Sequence, residues 1–171
     1  MEKLHPKTIW IFFFKFLIPG LLFTLAIGWP LISLLIEGVK TAWFLFGGLL
    51  LILILYIIFC YIWARLTYNY WGYQLTEDAL QIEHGVIWKK YVSIPYERIQ
   101  NVDIYRGILV RILGLSELQV QTAGLSAAYY GRMGIMGGAG AEGKLPGIEK
   151  NKAEELRKEF IKRVKGTKPG L

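Results

Sequence analysis

Two hydropathy patterns divide the chain. Residues 16–36 (FLIPGLLFTLAIGWPLISLLI) and 42–64 (AWFLFGGLLLILILYIIFCYIWA) are apolar runs without a charged side chain. From Tyr68 onward apolar and polar positions alternate instead, the period that belongs to half-buried strands. As a helix, the 23 residues of the second run reach about 35 Å at roughly 1.5 Å per residue, enough to cross a bilayer core of about 30 Å. Tyr56, Tyr61 and Trp63 gather toward its later end, as aromatic rings do at a lipid–water interface. In the first run Pro19 and Pro30 are kinks that membrane helices tolerate, and Lys15 just before it can extend its ammonium to the headgroups. This run exceeds the roughly 7–15 apolar residues of a cleaved signal peptide. The second follows after only Glu37-Gly38-Val39-Lys40-Thr41. No other mass in the chain is large enough to bury either run, so the pattern predicts a transmembrane helical hairpin.

Charge gives the hairpin a direction. Lys3, Lys7 and Lys15 precede it, Arg65 follows it, and the connecting loop holds Lys40 alone. That imbalance predicts both termini in the cytoplasm, on a two-span protein of the cell membrane. Charged residues make up 19% of the chain, against about 25% in ordinary soluble proteins. Residues 65–171 carry 16 Lys+Arg and 11 Asp+Glu, a net charge of +5, which suits a place beside an anionic leaflet. The only cysteine, Cys60, lies inside the second apolar run, so no disulfide forms within one chain.

The remainder predicts a small β-rich domain closed by a helix. Residues 70–75 mix aromatic and polar side chains before a turn at Thr76-Glu77-Asp78. Leu80 and Ile82 alternate with Gln81 and Glu83, and His84-Gly85 makes a hairpin turn. Val86, Trp88, Val92 and Ile94 share one parity of the next strand, which Pro95 ends. Val102 and Ile104 mark another strand, and residues 108–114 (ILVRILG) a helical turn closed by Gly114. Leu118, Val120 and Thr122 face away from Glu117, Gln119 and Gln121. Residues 131–143 hold six glycines, and Gly138, Gly140 and Gly143 spell G-x-G-x-x-G. No strand precedes them and Pro146 stands where a phosphate-binding helix would begin, so the stretch reads as a loop. Asn151 and Glu154 outline a capping box, and Ala153, Leu156, Phe160 and Val164 form an apolar stripe ending near Gly166. Packing on the sheet is the expected use of that stripe. The expected organisation is a flank at 1–15, the hairpin at 16–64, a domain at 65–165 and a tail at 166–171.

The stretch from Trp71 to Gly124 resembles the YdbS-like bacterial pleckstrin-homology (PH) proteins of prokaryotic membranes. The resemblance rests on Y-x-L-T-x-D-x-L-x-I-x-x-G from Tyr73, I-P-x-x-R-I-Q-x-V at 94–102, R-x-L-G-L at 111–115 and T-A-G at 122–124. L-P-G-I at 145–148 and the helix carrying Ala153, Leu156 and Arg157 are similar to the family's ending. What it implies is a membrane-anchored α+β chain. A two-helix hairpin would precede a PH-like β-barrel or sandwich of about seven strands with a C-terminal capping helix. It implies no established ligand.

Catalysis is not expected. The histidines are His5 and His84 only, no His, Cys or carboxylate cluster has metal-ligand spacing, and Ser93, Ser116 and Ser126 lack a G-x-S-x-G context. No cofactor is implied. Nucleic-acid binding is disfavoured, since a modest charge without a basic–aromatic stripe is a poor footprint. The expected function is a membrane-anchored binding or scaffold module, with the lipid bilayer and either a membrane-protein partner or a second copy as partners. Candidate contacts are Lys89, Lys90, Arg98, Gln100, Arg106 and Arg111, with Arg132 in the Gly-rich stretch. For Arg98 and Gln100, bonding the backbone of a neighbouring strand is the preferred reading over meeting a partner. The basic residues are scattered, and Glu83-His84-Gly85 is nearly neutral where headgroup-binding PH domains concentrate charge. Protein assembly is therefore preferred over anionic-lipid sensing through Lys89 and Lys90. A small channel or transporter subunit is disfavoured, because the spans hold only Ser33 and Thr24 as polar residues. Gly47-Gly48 permits close helix packing, as in an oligomer.

Overall fold

The computed structural model describes residues 1–122 and 143–167. The chain falls into two compact units, residues 9–67 on one hand and residues 1–8 with the chain from Tyr68 onward on the other. The expected Gly-rich loop, Arg132, Ser126 and the end of the T-A-G motif lie outside the described residues.

The first unit is a hairpin of two long helices, α1 (Thr8–Ile36) and α2 (Lys40–Asn69). Helix α1 starts well before residue 16 because residues 9–14 are themselves apolar and only Lys15 interrupts them. Gly38, at φ +77°, makes the reversal between the helices. Its N–H bonds the Leu35 carbonyl while that of Val39 reaches Leu34, which satisfies two of the carbonyls that a helix end leaves open. The helices run antiparallel. Phe13 meets Tyr61 at 6.4 Å between ring centroids, the Tyr56 hydroxyl donates to the Phe16 carbonyl at 2.5 Å, and Gly28 lies against Leu49. A Cβ on Gly20 would overlap the Tyr56 ring. Thr24 and Ser33 donate back to carbonyls of their own helix, leaving no hydroxyl demand toward lipid. Only 17% and 6% of the most apolar stretches are buried. A core helix would be covered on all sides; these expose their apolar flanks, as membrane-spanning helices do.

The second unit is built on two antiparallel three-stranded sheets. The first holds β1 (Gly72–Leu75), β2 (Ala79–His84) and β3 (Lys90–Pro95) in that order. The second holds β4 (Ile99–Tyr105), β5 (Leu115–Thr122) and β6 (Gly143–Glu149), with α3 (Ile108–Ile112) between β4 and β5. A 3-10 turn at Tyr96–Arg98 carries the chain from one sheet to the other. Six strands are thus seen among the described residues, against about seven expected. Leu80, Ile82 and Ile94 of the first sheet are buried, as are Val102, Leu118, Val120 and Leu145 of the second. The sheets meet tightly at Gly143, where an added Cβ would come within 2.6 Å of Ile94 Cδ1 and 3.4 Å of Ile82 Cδ1. Helix α4 (Lys150–Thr167) closes the domain, as its stripe predicted. Ala153, Leu156 and Phe160 are buried, and Phe160 faces the Tyr96 ring at 6.1 Å. Arg163 ties α4 to the rim. It pairs with Glu159 at 2.6 Å, donates to the Thr76 carbonyl and lies over the Tyr96 ring. The helix begins one residue before the expected cap at Asn151 and passes Gly166 to end at Thr167.

Two local expectations are corrected. The hairpin after His84 is not a tight two-residue turn. His84 pairs with Lys90, so residues 85–89 form the loop and Val86 and Trp88 are not strand residues. Gly85 at φ +116° allows the chain to double back onto the Trp88 carbonyl, which a Cβ would strike. Glu117 and Gln119 are buried, not outward-facing. They lie on β5, the central strand of its sheet, where Gln119 donates to Glu117 at 2.6 Å and Lys144 pairs with the same carboxylate at 2.7 Å.

Gly147 offers a test of the domain's construction. It sits at φ +68° beside a register shift in the β5–β6 ladder, and a Cβ there would run into the Thr8 side chain. Gly147→Ala is expected to lower stability by about 1–3 kcal/mol, through backbone strain and the clash together. The thermal midpoint by circular dichroism in detergent checks this. Gly166→Ala, which meets nothing within 4 Å, is the near-neutral control.

Candidate functional site

Residues 1–8 form a strap that joins the places where the two helices leave the domain. Glu2 pairs with Tyr73 as an antiparallel bridge, N–H to carbonyl at 2.7 and 3.0 Å. Its carboxylate accepts from the Tyr73 hydroxyl and from Lys152 Nζ, both at 2.8 Å. Lys3 Nζ donates to the Asn69 carbonyl at 2.6 Å, placing a cation where the α2 dipole is negative. Leu4 is buried, and its carbonyl accepts from the Tyr68 hydroxyl. His5 N–H at 3.2 Å and the Thr8 hydroxyl at 2.9 Å both donate to the Gly147 carbonyl. The L-P-G-I motif therefore has a physical role: Pro146 and Gly147 bend β6 so that one carbonyl receives the start of α1.

Both helix roots lie at one end of the domain. The α2 root adjoins Tyr70 and Trp71. Trp71 stacks on His84 at 4.6 Å, and Lys89 lies 5.9 Å from the Tyr70 ring centre. The loop between β2 and β3 is thereby set against the α2 root. The α1 root is held by Gly147, and Glu149 and Ile148 of β6 pair with Leu115 and Ser116 at the start of β5. The Leu115 carbonyl accepts from Arg106 Nε at 3.3 Å, and Gly114, at φ +73°, closes α3 by bonding the Arg111 carbonyl. Helix α3 is thereby set against the start of β5, the strand that pairs with β6 next to Gly147.

The six candidate contacts separate accordingly. Lys89 and Lys90 belong to the β2–β3 end, and Arg106 and Arg111 to the α3 end. Arg98 and Gln100 lie past the other end of β3, whose six residues span about 17 Å in five steps of roughly 3.3 Å. Both are exposed, and neither side chain makes a hydrogen bond or ion pair with another described residue. Lys89 is engaged: it pairs with Glu83 at 3.3 Å, and that hydrogen bond holds its ammonium above the usual lysine range. Burial, aided by Lys90, pushes His84 below the ordinary imidazole value. Among the described residues no group of three or more His, Cys, Asp or Glu is arranged to hold a metal.

Sequence reasoning missed the strap and the exposed apolar residues beside the helix roots. Glu2 and Thr8 find partners 71 and 139 residues away, and no local pattern announces such pairs. A signal did exist for the others. Lys90 interrupts the parity of Val86, Trp88, Val92 and Ile94, and ILVRI carries more apolar side chains than five helical residues can bury.

A sequence model of the family described as Bacterial PH domain matches residues 13–164. The chain is 32% identical over 103 residues to the UPF0699 transmembrane protein YdbT of Bacillus subtilis (strain 168), an alignment covering 59% of this chain and 17% of that protein. It is 26% identical over 88 residues to the UPF0699 transmembrane protein YdbS of the same organism, covering 52% of this chain and 50% of the relative. It thus spans a sixth of one relative's length and half of the other's. No solved structure matches it significantly.

The Glu2 cluster has a pH signature. Hydrogen bonds from Lys152 and Tyr73 hold the Glu2 carboxyl below its ordinary value of 4.5, and burial with the neighbouring carboxylate pushes Tyr73 up to about 12. A lowered carboxyl contributes stability that is fully present above the ordinary value and is lost progressively below it, as pH falls through the lowered value of the folded state. Glu2→Gln is expected to melt earlier than the parent at neutral pH, with the gap closing as pH falls below 4.5. Thermal midpoints measured across that range check it.

Proposed function

The chain belongs to the bacterial PH domain family, and from that premise we propose that it is a non-catalytic scaffold at the cytoplasmic face, assembling a membrane complex. It is a membrane protein: its apolar helices contact the bilayer, and its PH-like domain is membrane-associated. The observation that carries the proposal is the two-point mount. Thr8 is bonded into β6 and Lys3 caps the end of α2, so both helix roots are built into the domain. A module that fishes for soluble ligands gains from a loose tether. One joined to the bilayer through two chain segments stays close to it, which favours lateral contact with a membrane-protein neighbour or a second copy. Arg98 and Gln100, exposed at the end away from the roots and unengaged with described residues, suit that contact. An exposed guanidinium offers a planar fork of donors to a partner carboxylate.

Two measurements test this reading. A reporter fused after Leu171 is expected to signal from the cytoplasm, and an external signal would overturn the orientation. A photo-crosslinking residue at Arg98 in the full chain, in native membranes, is expected to give a discrete protein adduct. Placing a negative charge at Gln100 (Gln100→Glu) should reduce that adduct severalfold, whereas crosslinking to lipid alone would refute the assembly role.

A further inference from the structure

Large hydrophobic side chains are not left exposed at random on this domain. Ile87 and Trp88 of the β2–β3 loop are 65% and 84% exposed, and Ile108 and Ile112 of α3 are 72% and 75% exposed. Tyr70, Tyr91, Tyr105 and Leu109 are exposed beside them. Among the described residues from Tyr68 onward, Ile161 of α4 is the only other large hydrophobic with comparable exposure. The opposite end, with the turns 76–78 and 96–98, shows Glu77, Asp78, Glu97 and Arg98 instead. Scattered apolar exposure is ordinary, whereas gathering on two projections at one end is not.

The position of that end identifies the occupant. The β2–β3 loop is bound to the root of α2 through Tyr70 and Trp71, and α3 to the root of α1 through β5, β6 and Gly147. Tyr70 lies six positions past Ala64, the last of the uncharged run. That is about 9 Å of helix at 1.5 Å per residue, comparable with the roughly 5–8 Å headgroup layer on each side of the core. On the other side Ile9, the first residue of an apolar stretch, directly follows Thr8. The chain therefore keeps both projections within reach of the headgroups. Their composition fits: aliphatic and indole tips flanked by Lys89 and Arg111 match a layer that is apolar beneath and anionic above.

We propose that the β2–β3 loop and α3 are two membrane-dipping lips. Ile87 and Trp88, and likewise Ile108 and Ile112, would enter the headgroup–acyl boundary, with the flanking cations at the phosphate level. The surface takes the lipid bilayer itself, independently of any protein partner at the Arg98 end. Lipid recognition here is chiefly apolar insertion, with charge as a supplement, because Lys89 already spends part of its interaction on Glu83.

The test uses the full chain, with Cys60 replaced by alanine, reconstituted in phosphatidylcholine vesicles. An environment-sensitive fluorophore is attached at Trp88→Cys, Ile108→Cys or Glu97→Cys. Lipids carrying a nitroxide near the headgroup are expected to quench the first two labels about twofold or more above the third, since only groups at the interface meet them. Adding phosphatidylglycerol should deepen the quenching slightly, and salt should reverse only that increment. Equal access of aqueous iodide to all three labels would overturn the proposal. So would protection of positions 88 and 108 from both iodide and nitroxide, which would mean that protein covers them. If a variant's circular dichroism departs from the parent's, Ile87→Cys or Ile112→Cys reads the same lip.

Discussion

The carbonyl of Gly147 accepts a backbone N–H from His5 and a hydroxyl from Thr8, and the closure of the domain by residues 1–8 depends on that shared acceptor. Through it the residues that precede the first apolar helix are held on β6 of the second sheet. The bond is buried, so breaking it strands a carbonyl away from water, at a cost of about 1–3 kcal/mol. Glu2 reinforces the arrangement from the other sheet by pairing with Tyr73 and Lys152. The strap thus touches β1, β6 and α4, and the two sheets and the capping helix share one fixture.

Much of this fold was legible because it is encoded locally. The uncharged runs around 16–36 and 42–64 predicted two helices by length alone, and the structure extends both ends where residues 9–14 and 65–69 continue the helix. Alternation in Leu80 and Ile82, the turn at Thr76, the helical turn closed by Gly114 and the stripe Ala153, Leu156, Phe160 all appear as expected. What failed did so for non-local reasons. Parity assigned Trp88 to a strand, but Gly85 opens a longer loop that turns its ring outward. Parity also turned Glu117 and Gln119 outward. Strand β5 is buried along nearly its whole length, on both parities, and the polar pair is kept there by Gln119 donating to Glu117, whose carboxylate also pairs with Lys144.

The candidate site was legible as a set of residue types and not as a place. Lys89, Lys90, Arg98, Gln100, Arg106 and Arg111 looked scattered because they come from four segments. Topology sorts them into two groups beside the helix roots and one at the far end, a distinction invisible without the β3 register and the Leu115–Glu149 pairing. The separation also reconciles two readings that compete at sequence level. Lipid-facing and partner-facing chemistry need not share a surface when the domain has a root end and a far end.

The strap has a consequence for biogenesis. Glu2, Leu4 and Thr8 leave the ribosome early, yet Tyr73, Gly147 and Lys152 arrive only after both spans have been threaded. A polypeptide whose first span inserted in the reverse sense would strand its opening residues across the bilayer from β1 and β6. Its domain would then lack the Leu4 side chain and the pairing of Glu2 with Tyr73. Closure of the domain therefore requires residues 1–8 and the chain from Tyr68 onward on the same side of the bilayer.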